Sequence, residues 1–277
     1  MSSPSNPPAS DADRVGSAAS VDFARRFGGV ARLYGAAALD RFRHAHVAVI
    51  GLGGVGSWTA EALARSAVGR LTLIDLDNVA ESNTNRQLHA LEGNYGMAKV
   101  DAMRARILAI NPFCKVQVIE DFVEVDTIDA MLGQGFDDIV DAIDDSKVKV
   151  ALLAWATRRR QPVLTLGGAG GQVDPTRVKI DDLARTVQDP LLAKVRSRLR
   201  REHGFPKGPG SRMGIRAVYS DEALRAPLGE GECAIDGAAG GLNCAGFGSS
   251  VCVTATFGLA AAAEVLKRLA ARTSLTR

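Results

Sequence analysis

At 277 residues the chain is long enough for one large α/β domain or two small ones, with ample core. Its 46% apolar and 23% charged content is ordinary for a globular protein and excludes wholesale disorder. The net charge of +3 assigns no partner by itself, and the four cysteines, at 114, 233, 244 and 252, form no C-x-x-C pair, which argues against a structural zinc site.

Residues 1–21 are rich in Ser, Pro, Ala and Asp and read as a disordered leader without the apolar stretch of a secretion signal. With it, the unpaired thiols point to a cytoplasmic protein. Residues 23–44 alternate basic and apolar side chains and read as helical, packed beside the first strand. Val47-Ala48-Val49-Ile50 is a buried strand that runs into Gly51-Leu52-Gly53-Gly54-Val55-Gly56. A helix opens near Val55, residues 60–67 complete it, and Gly69 is its predicted stop. The next strand, 71–74, ends at Asp75, whose carboxylate can accept hydrogen bonds from both hydroxyls of a ribose. Strand, glycine turn, helix and acid together predict a nucleotide site. On these residues alone NAD remains as good a ligand as any.

Residues 77–87 are too rich in amides for a simple connection: Asp77, Asn83, Asn85 and Arg86 can direct several hydrogen bonds at a nucleotide. Lys99 opens a helical run over 98–110, ended by Asn111-Pro112. Taken singly, Arg86 and Lys99 read as solvated surface cations. A strand over 115–119, a helix over 126–132 and a strand over 138–143 follow, the last running into Asp144 and Asp145. A carboxylate at the C-terminal end of a central strand is placed to hold Mg²⁺ between phosphate oxygens, which suits Asp144, whereas Asp145 is the better cap for the next helix. That helix covers 146–160 and a strand over 162–166 succeeds it. The alternation over 47–166 specifies a parallel, doubly wound sheet.

Between residues 185 and 216 stand nine Lys or Arg and only two acids. Lys194, Arg196, Arg198, Arg200 and Arg201 fall on a predicted helix, and Lys207 and Arg212 in the glycine-rich run behind it. Such a local excess is the electrostatic footprint of a nucleic-acid backbone, a solvated helix face being the alternative. Interleaved aromatics that would stack bases are absent. Cys233 and Cys244 lie in glycine-rich loops where a lowered pKa would make a nucleophile, while Cys252, in an apolar run, is expected in the core. Residues 245–263 carry no charge, yet their Gly, Ser and Thr argue against a membrane span without closing that option. They read as a strand or tight turn followed by a buried helix over 257–271.

In order and spacing, Gly-Leu-Gly-Gly-Val-Gly, Leu-Ile-Asp-Leu-Asp, Ser-Asn-Thr-Asn-Arg-Gln, Gly-Met-Ala-Lys and Asp-Ala-Ile-Asp-Asp resemble the ubiquitin-activating-enzyme superfamily over about residues 22–170. The resemblance implies a Rossmann-like, ubiquitin-activating-enzyme-like fold: a doubly wound, mostly parallel sheet with a C-terminal extension. It also implies ATP with Mg²⁺, adenylation of a carboxylate and release of pyrophosphate. Gly51, Gly53, Gly54 and Gly56 would lie under the phosphates, Asp75 with Asp77 at the ribose, and Asn83, Asn85, Arg86 and Lys99 around the triphosphate. Asp144 would be the metal ligand, and Arg86, Lys99 and Asp144 the catalytic set; a monovalent cation is a further option.

A narrower resemblance spans nearly the whole chain. Arg26-Phe27-Gly28-Gly29, residues 31–35 (Ala-Arg-Leu-Tyr-Gly), Thr84-Asn85-Arg86-Gln87, residues 167–175 (Gly-Gly-Ala-Gly-Gly-Gln-Val-Asp-Pro), Gln188-Asp189-Pro190-Leu191 and residues 253–258 (Val-Thr-Ala-Thr-Phe-Gly) are similar to the tRNA threonylcarbamoyladenosine dehydratases. That family activates the threonyl carboxylate of the modified base beside the anticodon and closes a ring with net loss of water. The resemblance implies one adenylating domain over 22–277, with a nucleotide core at 47–166, a basic insert at 181–230 that contacts tRNA, and a C-terminal strand and helix at 231–277. It further implies a homodimer and, as possible partners, a cysteine desulfurase with its sulfur acceptor.

Gly28-Gly29 stand where superfamily relatives carry a second arginine that reaches a phosphate across the dimer, leaving Arg26, Arg32 or no residue for that contact. The zinc-binding cysteines of several relatives are missing, and intramolecular cyclisation needs no catalytic thiol. Three other readings stay open: adenylation of a ubiquitin-like sulfur carrier, a non-catalytic nucleotide-binding adaptor of a sulfur-transfer system, and an NAD-dependent oxidoreductase. The last leaves Arg86, Lys99 and Asp144 unexplained.

Overall fold

Side chains along a strand alternate between its two faces, so a sheet covered on both sides needs apolar residues at every strand position. The stretch 47–50 meets that demand. In the computed structural model, which describes residues 22–225 and 247–272, Val47 and Val49 enter one core layer and Ala48 and Ile50 the other. The predicted leader, Cys233 and Cys244 lie outside the described residues.

Two helices precede the sheet, α1 (Phe23–Tyr34) and α2 (Ala36–His44). The single helical stretch of the sequence is broken at Gly35, whose φ of +88° few other residues adopt. Then follow β1 (His46–Ile50), α3 (Gly56–Arg65), β2 (Arg70–Ile74), α4 (Lys99–Ile110), β3 (Lys115–Ile119), α5 (Ile128–Leu132) and β4 (Asp138–Asp141). The second half comprises α6 (Ser146–Arg159), β5 (Val163–Leu166), β6 (Val178–Asp182), α7 (Pro190–His203), β7 (Arg216–Ser220) and α8 (Val251–Ala271). The seven strands lie in the order β3-β2-β1-β4-β5-β7-β6, all parallel except β6, which runs antiparallel to β7. This is the expected Rossmann-like sheet, with β6 and β7 extending its far edge. The basic insert, residues 181–230, is therefore joined to the sheet where β6 ends and β7 begins, with α7 between them.

The chain winds outward from β1 through β2 to β3, then crosses back to place β4 on the other side of β1. Ligands of open parallel sheets bind in the crevice at the C-terminal strand ends where the winding reverses. Here that crevice lies between Ile50 and Asp141, partners in the β1–β4 register.

Several boundaries differ from the sequence expectation for local reasons. Helix α5 starts at Ile128 rather than 126, because the Thr127 hydroxyl accepts from the Glu124 N–H and closes a turn in front of it. Gly69 is not what stops α3. The helix has already ended at Ser66, and Gly69 allows the chain to pass α2, where a Cβ would come within 1.7 Å of the Arg43 carbonyl.

At the C-terminus, residues 247–250 form no strand, and α8 begins at Val251, six positions before Phe257, with the Ser250 hydroxyl accepting from the Cys252 N–H. That earlier start puts Cys252 in the first turn facing solvent, so it is an exposed thiol and not a core residue. Cys114 is the buried one, its thiol pushed up to about 12 by desolvation.

Helix α8 repeats a buried position every fourth residue, Val253, Phe257, Ala261 and Val265, and this stripe packs on α3. Gly258 permits the approach: a Cβ there would come within 2.5 Å of the Val55 carbonyl and 2.7 Å of Trp58. No helix among the described residues is long and apolar enough to cross a membrane.

Candidate active site

The glycine turn is shaped by two contacts that no side chain tolerates. Gly51 has φ +86° and faces the Ala142 carbonyl, which a Cβ would meet at 2.8 Å. At Gly56 a Cβ would fall 1.8 Å from the Gly51 carbonyl, so the first residue of α3 nests against the turn itself. Gly53 is different. Among the described residues a Cβ there meets no atom within 4 Å, and its φ is not positive, so neither crowding by them nor backbone strain explains a glycine. What remains is an open face for a ligand.

Among the described residues, the N–H groups of Gly53, Gly54 and Val55 find no backbone acceptor, and no side chain caps α3. Free N–H groups at the positive end of a helix suit phosphate.

Asp75 closes one side of this turn. Its carboxylate accepts from the N–H of Leu52 at 2.5 Å and of Asp77 at 2.9 Å. Burial raises its pKa, and the nearby Lys99 charge and the two N–H donors oppose the shift. Lys99, the first residue of α4, donates to Asp77 Oδ2 at 2.7 Å and stands 3.9 Å from Asp75 Oδ1. The two acids and the lysine thus form one cluster, its lysine only 6% exposed.

The amide-rich loop forms the other wall. The Asn83 side chain accepts from the Ala80 N–H, and its carbonyl accepts from the N–H groups of Arg86 and Gln87. The Arg86 guanidinium donates to the Ser82 carbonyl at 2.8 Å and to Asn85 Oδ1 at 2.9 Å, and partial burial lowers its pKa. Asn85 in turn donates to the Ser249 carbonyl and hydroxyl, both at 3.2 Å, which ties the loop to the start of α8. Trp58 of α3 donates to the Arg86 carbonyl at 3.0 Å. Beside Arg86 opens a cleft of about 460 Å³ between Ser82, Asn85, Phe247 and Ser249.

Asp144 follows β4 at the crevice, exposed and without a hydrogen-bond partner among the described residues; Asp145 caps α6, accepting from the Lys147 and Val148 N–H groups. No group of three or more His, Cys, Asp or Glu that could hold a metal occurs among the described residues. One free carboxylate fits Mg²⁺ bound together with phosphates, the usual mode for that ion.

The basic residues are divided by the structure. Arg196 is half-buried and donates to the Thr186 hydroxyl. Arg198 and Arg201 both pair with Glu202, and Arg200 donates to the Pro206 carbonyl at 3.2 Å. Lys207 and Arg212 are exposed and form no salt bridge with a described residue.

Sequence reasoning missed four buried groups around the crevice. Lys149 and Asp141 form a fully buried ion pair, Asp189 caps α7 while accepting from Gly168, and His89 lies buried near Lys99. Asp189 was visible only as part of a motif. The Asp-Ala-Ile-Asp pattern held a signal for Asp141, because a polar side chain stands there at the end of an apolar strand.

The ThiF family matches residues 28–276. This chain belongs to the ThiF family. It is 49% identical to the tRNA threonylcarbamoyladenosine dehydratase of Escherichia coli (strain K12), over 90% of this chain and 94% of that protein. Among solved structures it is similar to the E. coli tRNA N6-threonylcarbamoyladenosine dehydratase, TcdA, in complex with ATP, at 47% identity and a TM-score of 0.80, covering 89% of this chain and 94% of that one. The same protein in complex with AMP superposes at a TM-score of 0.81, with the same identity and coverage.

Proposed function

We propose that this ThiF-family chain is an ATP-dependent tRNA threonylcarbamoyladenosine dehydratase. The observation that carries the reading is 49% identity, across nearly the full length of both chains, to a relative of that name. ATP and AMP complexes of such a protein supply a nucleotide and its cleaved product. The crevice agrees, since it gathers an open glycine turn, a ribose acceptor and two cations at one strand end.

The threonyl carboxylate attacks the α-phosphorus of ATP, the bond to the β-phosphate oxygen breaks, and pyrophosphate departs from an acyl-adenylate. A nucleophile of the same modification then attacks the acyl carbon and AMP leaves, carrying the carboxylate oxygen. The sum is loss of one water from the nucleoside. Because nucleophile and electrophile are tethered, the protein's task is activation and positioning.

Gly53, Gly54 and Val55 direct N–H groups to the phosphates. Asp75 turns to the ribose hydroxyls. Arg86 and Lys99 place positive charge where pyrophosphate gathers negative charge, help that fixed cations supply without reorganisation. Asp144 is the residue that would hold Mg²⁺, which neutralises phosphate oxygens when bound. Asn83 and Asn85 act chiefly by fixing Arg86.

The family resemblance supports a homodimer and makes a sulfur-transfer system a candidate partner, while the leader and the unpaired thiols support a cytoplasmic location. Arg26 donates to the Ile110 carbonyl at 2.7 Å and so belongs to the α1–α4 contact, which leaves the exposed Arg32 as the candidate for a cross-subunit phosphate contact. Arg201, Lys207 and Arg212 are the outward charges of the RNA surface.

Stoichiometric AMP and pyrophosphate, formed only when the tRNA carries threonylcarbamoyladenosine, would support this function. AMP formed instead with a sulfur-carrier protein would contradict it.

A further inference from the structure

A charged pair shut away from water is a poor stabiliser: the desolvation cost offsets the attraction, and an apolar pair of equal volume often serves as well or better. Lys149 and Asp141 are such a pair, both side chains 0% exposed. Their partners indicate another purpose.

Asp141 and Thr165 are opposite each other in the β4–β5 register, so their side chains emerge on the same face. Lys149, on the first turns of α6, reaches down over both. Its ammonium lies 2.8 Å from Asp141 Oδ2, 3.1 Å from the Thr165 hydroxyl, 3.1 Å from the Leu166 carbonyl and 3.2 Å from the Asp141 carbonyl. The Thr165 hydroxyl donates to Asp141 Oδ2 at 2.7 Å. The two carbonyls belong to the last residues of β4 and β5, where the sheet ladder runs out. Asp141 Oδ1 takes the next N–H along, that of Ile143, at 3.2 Å. One lysine therefore ties off two strand ends and the turn between β4 and Asp144.

That turn is coupled to the nucleotide cradle. The Ala142 N–H donates to the Ile50 carbonyl at 2.9 Å, and the Ala142 carbonyl is the atom that requires glycine at position 51. On the β5 side, the chain leaving Leu166 enters Gly167 and Gly168, whose position is set by Asp189: its carboxylate accepts from the Gly168 N–H at 2.9 Å and fills the space a Gly167 Cβ would need.

We propose that Lys149 is a positioning residue for the nucleotide site: through Asp141 and the ends of β4 and β5 it sets the turn that presents Asp144 to the phosphate-bound metal. The inference rests on the role of Asp144 given above.

The test uses full-length protein, titrated with ATP by calorimetry in the absence and presence of Mg²⁺, with KM and kcat for AMP formation measured beside it. The variants are the double Lys149→Met, Asp141→Leu, which leaves no lone buried charge, and the milder Thr165→Val. In a cooperatively folded double variant, the gain in ATP affinity on adding Mg²⁺ falls about ten-fold, while affinity without metal stays within about two-fold. KM for Mg²⁺–ATP rises in parallel, more than kcat falls.

A folded double variant with the wild-type metal response overturns the proposal. If the double variant does not fold, an unchanged metal response in Thr165→Val overturns it, and a reduced one supports it. A wild-type protein whose ATP affinity ignores Mg²⁺ contradicts the role of Asp144 itself and removes this inference with it.

Discussion

Arg86 lies across Gly54. A Cβ on that glycine would come within 3.0 Å of the Arg86 Cγ, so the arginine's methylenes rest on the floor of the turn while its guanidinium is held by Ser82 and Asn85. The conformation of the cation thus depends on the absence of a side chain beneath it. Gly54→Ala is expected to displace Arg86 and weaken ATP binding by about ten-fold or more, the scale of one disturbed charge-assisted contact. Arg86→Ala should abolish turnover. Both variants should melt within a few degrees of wild type, measured by thermal unfolding beside ATP titration.

Gly53 and Gly56 give opposite predictions within one turn. Gly53→Ala meets no atom of the described residues, so stability should change by less than about 1 kcal/mol while nucleotide affinity falls. Gly56→Ala forces a Cβ to within 1.8 Å of the Gly51 carbonyl and should cost about 3 kcal/mol or more of stability. Urea unfolding of the two, followed by ATP titration, separates the ligand-facing glycine from the packing one.

His89 makes stability depend on pH. It is 1% exposed, both ring nitrogens lack partners among the described residues, and burial with the nearby Lys99 charge lowers its pKa to about 4 from an ordinary 6.5. Between those values the unfolded chain binds more protons than the folded one. The contribution of His89 is therefore complete above pH 6.5 and is lost as pH falls through about 4, reaching up to about 3 kcal/mol. Asp138 acts in the reverse direction: burial pushes it up to about 7, so its contribution declines as pH rises toward that value. The clean measurement is the urea midpoint of wild type minus that of His89→Leu, which should fall steadily from pH 7 to pH 4.5.

Among the basic residues, exposure sorts the roles. Lys207→Ala and Arg212→Ala should each weaken tRNA binding and reduce the salt slope of log affinity by about 1. Arg196→Ala should instead destabilise the contact between α7 and Thr186, with a smaller change in salt slope. Filter binding across a salt series distinguishes them.

The sheet from β1 to β5 was legible in the sequence because its strands are short apolar runs separated by helical stretches. Asp75 and Asp144 could be singled out in the sequence as acids at strand ends, whereas Arg86 and Lys99, which taken singly read as solvated surface cations, were singled out only by the family resemblance. The buried groups were not. Nothing local to Lys149 distinguishes it from a surface lysine on α6; only the pairing of Asp141 with Thr165 across two strands creates its acceptors. Cys252 was misplaced because an apolar neighbourhood in sequence does not say which side of a helix faces the core. The same holds for the basic run, in which neighbouring cations divide between Glu202, a carbonyl and open solvent.

The most direct measurement is the mass of the modified nucleoside after incubation with ATP, Mg²⁺ and tRNA bearing threonylcarbamoyladenosine. Wild-type protein should lower that mass by one water for each AMP released, and Arg86→Ala and Asp144→Ala should leave it unchanged. A nucleoside of unaltered mass in the presence of wild-type protein and ATP, or full activity in both variants, would contradict the account.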